Sequence, residues 1–138
     1  MALVPEKING VTVEFASTVK NEVHEWMIEG LKKCISPTIA GGVTLDSIYI
    51  SAIKDSHDDK PQSRHNQGKA VDISRINGSK MSVFYPNDPV VKAAVDAIQD
   101  AFECYENCRE NFGPKFKKKL GKPWTVAGHK DHIHLSVN

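Results

Sequence analysis

No run of apolar residues in this chain approaches the roughly 20 needed to cross a bilayer, so neither a spanning helix nor stable membrane insertion is expected. Cysteine is scarce. Cys34, Cys104 and Cys108 are odd in number and lack the paired spacing of a metal knuckle, so the expectation is reduced thiols packed as small apolar groups, not a disulfide framework. Charge of one sign is lacking too: 18 Lys and Arg against 17 Asp and Glu leave a formal net charge of +1. That balance argues against a nucleic-acid partner. The opening MALVPEKING has no basic segment followed by an apolar one, so synthesis in the cytoplasm without a signal peptide is expected.

What is present is the composition of an ordinary globular domain. The 138 residues, 40% hydrophobic and 25% charged, suffice for one domain over 1–138 with a core that needs no staples. VTVEF (Val11 to Phe15) alternates like a strand. Val19, Val23, Trp26, Met27, Leu31 and Cys34 recur at helical spacing, predicting a helix from Ser17, as N-cap, to about Cys34. VTLDSIYISAI and AVDIS read as strands, RINGSK carries the Asn-Gly of a tight hairpin, and MSVFY is expected to return antiparallel. Asp88 and Pro89 open a second helix whose face holds Val91, Ala94, Val95, Ile98, Ala101, Phe102 and Tyr105. FGPKFKKKLGKP, with lysines at 115, 117, 118, 119 and 122, and DSHDDK read as exposed polar loops; WTVAG and HIHLSV read as two final strands. The predicted class is α+β, a small, mostly antiparallel sheet packed against two main helices.

Four of the six histidines sit in two short segments, SRHNQGKAVDIS (Ser63 to Ser74) and HKDHIHLSV (His129 to Val137). A catalytic zinc takes three protein ligands and keeps one position open, and His65, Asp72 and His134 can supply that set. Residues at even spacing share a strand face, so Ala70 and Asp72 point one way while Val71 and Ile73 enter the core; likewise His132 and His134 point together while Ile133 and Leu135 face inward. Ala70 leaves room beside the ligand, Gly68 lets the His65 loop approach, and Ser63 can hydrogen-bond locally to hold it.

Ser63, His65, Gly68, Ala70 and Asp72, followed by His132 and His134, resemble the signature of the LAS-type zinc peptidases, the group of D-alanyl-D-alanine peptidases, phage endolysins and the hedgehog signalling domain. The resemblance spans roughly 48–137. It implies a hedgehog-like or D-alanyl-D-alanine-peptidase-like fold, one Zn2+ per chain on His65, Asp72 and His134, and hydrolysis of a peptide bond by metal-activated water. The branch resembled most is the carboxypeptidase and murein endopeptidase branch, with further histidines five and two residues before the last ligand, here His129 and His132. His132 is then the expected general base, because it titrates near neutrality and strand parity aims it at the metal. Other branches carry a glutamate three residues before the ligand, where this chain has Asp131. His129 is expected to orient His132 or steady the tetrahedral oxyanion.

Where family members carry an Arg after a Gly-aromatic pair, ISAIKDS offers Ala52, Ile53 and Lys54. Lys54 would meet a substrate carboxylate or oxyanion as a point charge without the bidentate fork. The implied substrate is peptidoglycan, at a D-alanyl or an L-alanyl-D-glutamate bond of stem or cross-link peptides. The implied setting is a phage endolysin released by a holin, or a lysin carried by phage-tail or injection-device structural proteins. The alternative is a zinc-containing binding module of the same fold without catalysis.

Overall fold

The computed structural model describes residues 1–53 and 67–138. Along the chain run β1 (Ala2–Leu3), β2 (Lys7–Ile8), β3 (Val11–Phe15), β4 (Glu22–Val23), α1 (Glu25–Cys34), β5 (Thr38–Ile39), β6 (Val43–Thr44) and β7 (Ser47–Ala52). There follow β8 (Ala70–Ile76), β9 (Ser79–Lys80), α2 (Met81–Phe84), α3 (Pro89–Glu103), β10 (Cys108–Phe112), β11 (Lys117–Lys119), β12 (Lys122–Pro123) and β13 (Ile133–Val137). The α+β class is as expected, but the molecule is richer in sheet than a small sheet on two helices. Among the described residues one sheet has nine strands, in the order β12-β11-β10-β13-β8-β7-β3-β2 with β9 on β8. All its pairings are antiparallel except β3 with β7.

One face of this sheet makes the core. Ile48, Ile50, Val71, Ile73, Ile76, Ile133, Leu135 and Val137 are fully buried there, in one cluster with Met27 and Leu31 of α1 and Val95, Ile98 and Phe102 of α3. A register shift between Tyr49 and Ile50 pairs Ile48 with Ile76 and Ile50 with Ile73, so both isoleucines of β8 stay on the core side although they are three positions apart. The two long helices meet where Gly30 leaves no side chain: a Cβ there would come within 2.8 Å of the Phe102 ring. α3 opens as its sequence predicts, with the Asp88 carboxylate accepting from the amides of Val90 and Val91 and Pro89 at the first helical position.

Four expectations are corrected. The first helix begins at Glu25, not at Ser17, because Glu22 and Val23 pair with β1 and His24 provides the cap, its Nδ1 accepting from the Trp26 amide. The Asn-Gly hairpin forms, with Asn77 and Gly78 both at positive φ, but only Ser79 and Lys80 return along β8 before Met81 starts a short helix that buries its own side chain. WTVAG contains no strand; only the Trp124 backbone, bonded to Lys117, continues the ribbon.

The fourth correction bears on the site. The lysine-rich segment is the β11–β12 ribbon at the sheet edge, and the stretch after Cys104 is the strand β10. Buried Gln99 of α3 holds this ribbon: its Nε2 donates to Asn111 Oδ1 at 3.1 Å and to the Phe116 carbonyl at 3.0 Å, and its Oε1 accepts from the Lys115 amide at 3.1 Å. Gln99→Ala strands those groups and opens a cavity, so it should lower stability by ~3 kcal/mol in urea unfolding monitored by circular dichroism. A loss within ~0.5 kcal/mol, the range of ordinary surface substitutions, would show the network to be dispensable.

None of the three cysteines is in a disulfide; Cys34 is buried, Cys104 exposed, and burial pushes the half-buried Cys108 thiol up to about 12. No helix among the described residues is long and apolar enough to cross a membrane.

Candidate metal and catalytic centre

The opposite face of the sheet carries the described candidate site residues. Antiparallel pairing of β13 with β8 sets His134 directly across from Asp72 and Ser136 across from Ala70. Directly opposed side chains on one face lie within contact distance, and here His134 Nδ1 stands 2.9 Å from Asp72 Oδ1. The even-spacing reading of both segments holds: Val71, Ile73, Ile133 and Leu135 are in the core. His132, two residues before His134, brings its Nε2 to 4.0 Å from Asp72 Oδ2.

His129 approaches from the loop before β13. Its backbone takes φ 68° directly after Gly128 at φ 80°, a left-handed turn unusual for a residue with a side chain, which delivers the ring into the cluster. The ring centroid lies 4.8 Å from that of His132, 5.8 Å from His134 and 5.2 Å from Phe112. Among the described residues its Nδ1 is buried without a hydrogen-bond partner. Burial holds His129 below the usual imidazole range, helped by repulsion from His132 and His134, so it stays neutral at pH 7.

Asp131 directly precedes His132 in the chain. Its side chain is largely exposed, yet Oδ1 lies 2.7 Å from His132 Nδ1, and that bond holds the carboxyl below its usual range. A carboxylate on Nδ1 keeps the proton there and leaves Nε2 as the free acceptor, the nitrogen on the Asp72 side.

Glu110 and Phe112 escaped the sequence reading. Phe112 stacks on the His134 ring at 5.6 Å between centroids and walls that side with apolar surface. Glu110 Oε1 lies 3.1 Å from His134 Nε2 and accepts from Ser136 Oγ at 2.7 Å, with Lys119 Nζ 4.0 Å from Oε2. Burial pushes the Glu110 carboxyl up, but the bonds from His134 and Ser136 and the charges of His134 and Lys119 outweigh it and hold it at about 2.

Lys54, Ser63 and His65, three of the predicted site residues, lie outside the described residues, as does DSHDDK. Among the described residues no group of three His, Cys, Asp or Glu side chains is disposed to hold a metal ion. Gly68, just after that segment, has φ 70°, and its carbonyl accepts from the His24 amide at 2.8 Å. A Cβ there would meet Met1 Sδ at 2.9 Å and His24 N at 3.2 Å, so the approach to β8 is fixed where the chain re-enters the sheet. Comparison with known proteins finds no match, whether among family models, curated proteins or solved structures.

Proposed function

We propose that this chain is a zinc-dependent peptidase of peptidoglycan, with His65, Asp72 and His134 as the metal ligands and a fold of the hedgehog and D-alanyl-D-alanine peptidase type. The observation that carries the reading is the pairing of Asp72 with His134 across two adjacent strands, with two more imidazoles, His132 and His129, beside them. The donor types suit zinc: the Asp72 carboxylate and the His134 imidazole stand side by side, and the third ligand of the motif, His65, is seven residues before Asp72 in the sequence. Zinc held there supplies Lewis acidity towards a peptide carbonyl and acidifies water.

The chain's own residues supply the rest. His132 takes the proton of the attacking water at Nε2, while Asp131 fixes the tautomer by holding a proton on Nδ1. His129, neutral and with one nitrogen unpartnered, has a hydrogen-bonding atom to offer the oxyanion or the leaving amine. Phe112 excludes water from the flank of His134. Lys54 and Ser63 are assigned to the substrate by position in the motif alone.

The substrate bond is a D-alanyl or an L-alanyl-D-glutamate peptide bond of stem or cross-link peptides. The setting is a phage endolysin acting after holin-type release, or a component of a virion or injection device acting with its structural proteins.

The test of the metal centre is elemental analysis after dialysis. One zinc per chain is expected, falling to background in the Asp72→Ala, His134→Ala double variant. Full occupancy in that variant would overturn the ligand assignment.

A further inference from the structure

Resting on the reading of Asp72 and His134 as metal ligands, we propose that Glu110 is a positioning residue for the site: it holds His134 by Nε2 so that Nδ1 is the nitrogen presented beside Asp72. A histidine ligand binds through one nitrogen, and a carboxylate on the other fixes its tautomer and ring orientation. His134 has that arrangement, with Asp72 Oδ1 2.9 Å from Nδ1 and Glu110 Oε1 3.1 Å from Nε2.

The two nitrogens do not compete for the metal role. On the Nδ1 side stand the Asp72 carboxylate and the His132 ring, within 4.0 Å of each other. On the Nε2 side Glu110 already accepts the Ser136 hydroxyl at 2.7 Å and faces the Lys119 ammonium at 4.0 Å. A hydroxyl donor and a cation disfavour a second cation at that carboxylate and suit it to receive an N–H instead.

The backbone is irregular at the place where this contact requires it. In an unbroken β10, Cys108 and Glu110 would share a face. The register shift between them sets Cys108 against Val137 and Glu110 against Ser136, turning the carboxylate out of the core face to meet His134. The Glu110 amide donates to Ser136 Oγ at 3.1 Å, so the same serine ties down both backbone and carboxylate. Phe112, two residues on and directly opposite His134, clamps the ring from its face while Glu110 clamps it from its edge.

The test is zinc affinity, measured by competition with a chromophoric chelator on the full chain, for the wild type, Glu110→Ala, Glu110→Gln and Ser136→Ala. Loss of an outer carboxylate costs typically 10- to 100-fold in metal affinity. Glu110→Ala is expected to fall by about that factor, Glu110→Gln to lie between it and the wild type because an acceptor oxygen survives without the charge, and Ser136→Ala to lose least. In nitrogen-15 NMR of the zinc-loaded protein, the His134 Nε2–H should be a slowly exchanging proton in the wild type and a fast one in Glu110→Ala, a change that general loosening of β10 would not confine to one ring. Wild-type affinity in both Glu110 variants would overturn the positioning role while leaving the metal site standing. A wild type that binds no zinc would instead overturn the metal reading on which the role depends.

Discussion

His132→Ala should leave zinc content unchanged and cost roughly 10²- to 10⁴-fold in peptide hydrolysis, the usual effect of removing a general base. The expectation rests on placement: Nε2 lies 4.0 Å from Asp72 Oδ2, on the face shared by Asp72 and His134, and Nδ1 is already engaged by Asp131 at 2.7 Å. Asp131→Asn should cost much less, because its carboxylate touches the base and not the centre; its loss frees the tautomer without removing the proton acceptor. His129→Ala should fall between them if its buried nitrogen steadies charge in the transition state. Rates must be compared at matched zinc content. An inactive Asp131→Asn beside an active His132→Ala would reverse the two roles and place the chain with the branches that use an acid three residues before the last ligand.

The half of the site that rests on strand parity was legible in the sequence. AVDIS and HIHLSV alternate cleanly, and two alternating strands on one core must present their even-spaced polar residues together, which is how Asp72, His132 and His134 come to share a face. Glu110 was not legible, for two reasons. No alternation in the sequence marked 108–112 as a strand, although the helix stops at Glu103 with Cys104 as its cap and β10 begins at Cys108. Even with β10 recognised, parity would have assigned Glu110 to the face of Cys108, because a one-residue register shift has no signature in CRENF.

The lysine-rich segment misled in the same way. Its composition suggests a solvated loop, yet a ribbon at the margin of a sheet tolerates lysines because their stems lie along the sheet while their ammonium groups reach water or a partner. Lys117 Nζ bonds the Val126 carbonyl, Lys118 lies over Phe116, and Lys119 lies over Trp124. The late start of α1 has a tertiary cause: the helical spacing of Val19 and Val23 is overridden by the pairing of β4 with β1, a contact some twenty residues away in sequence that no local pattern encodes.

Removing the metal should abolish hydrolysis at least as completely as His132→Ala, since the proton acceptor is of little use without the group that polarises the carbonyl and acidifies water. Restoring zinc to the stripped protein should restore activity, because the face that holds Asp72 and His134 is built on two paired strands in the middle of the sheet and does not depend on the ion for its register. Mass spectrometry of purified peptidoglycan incubated with the zinc-loaded, the chelator-stripped and the reloaded protein puts the whole reading to the test. Fragments cut at a D-alanyl or an L-alanyl-D-glutamate bond are expected with the loaded and reloaded protein and none with the stripped protein. Peptidoglycan left intact by protein carrying a full zinc complement, or cut equally well without metal, would contradict the reading, and the first of these outcomes would mark the chain as a zinc-containing binding module without catalysis.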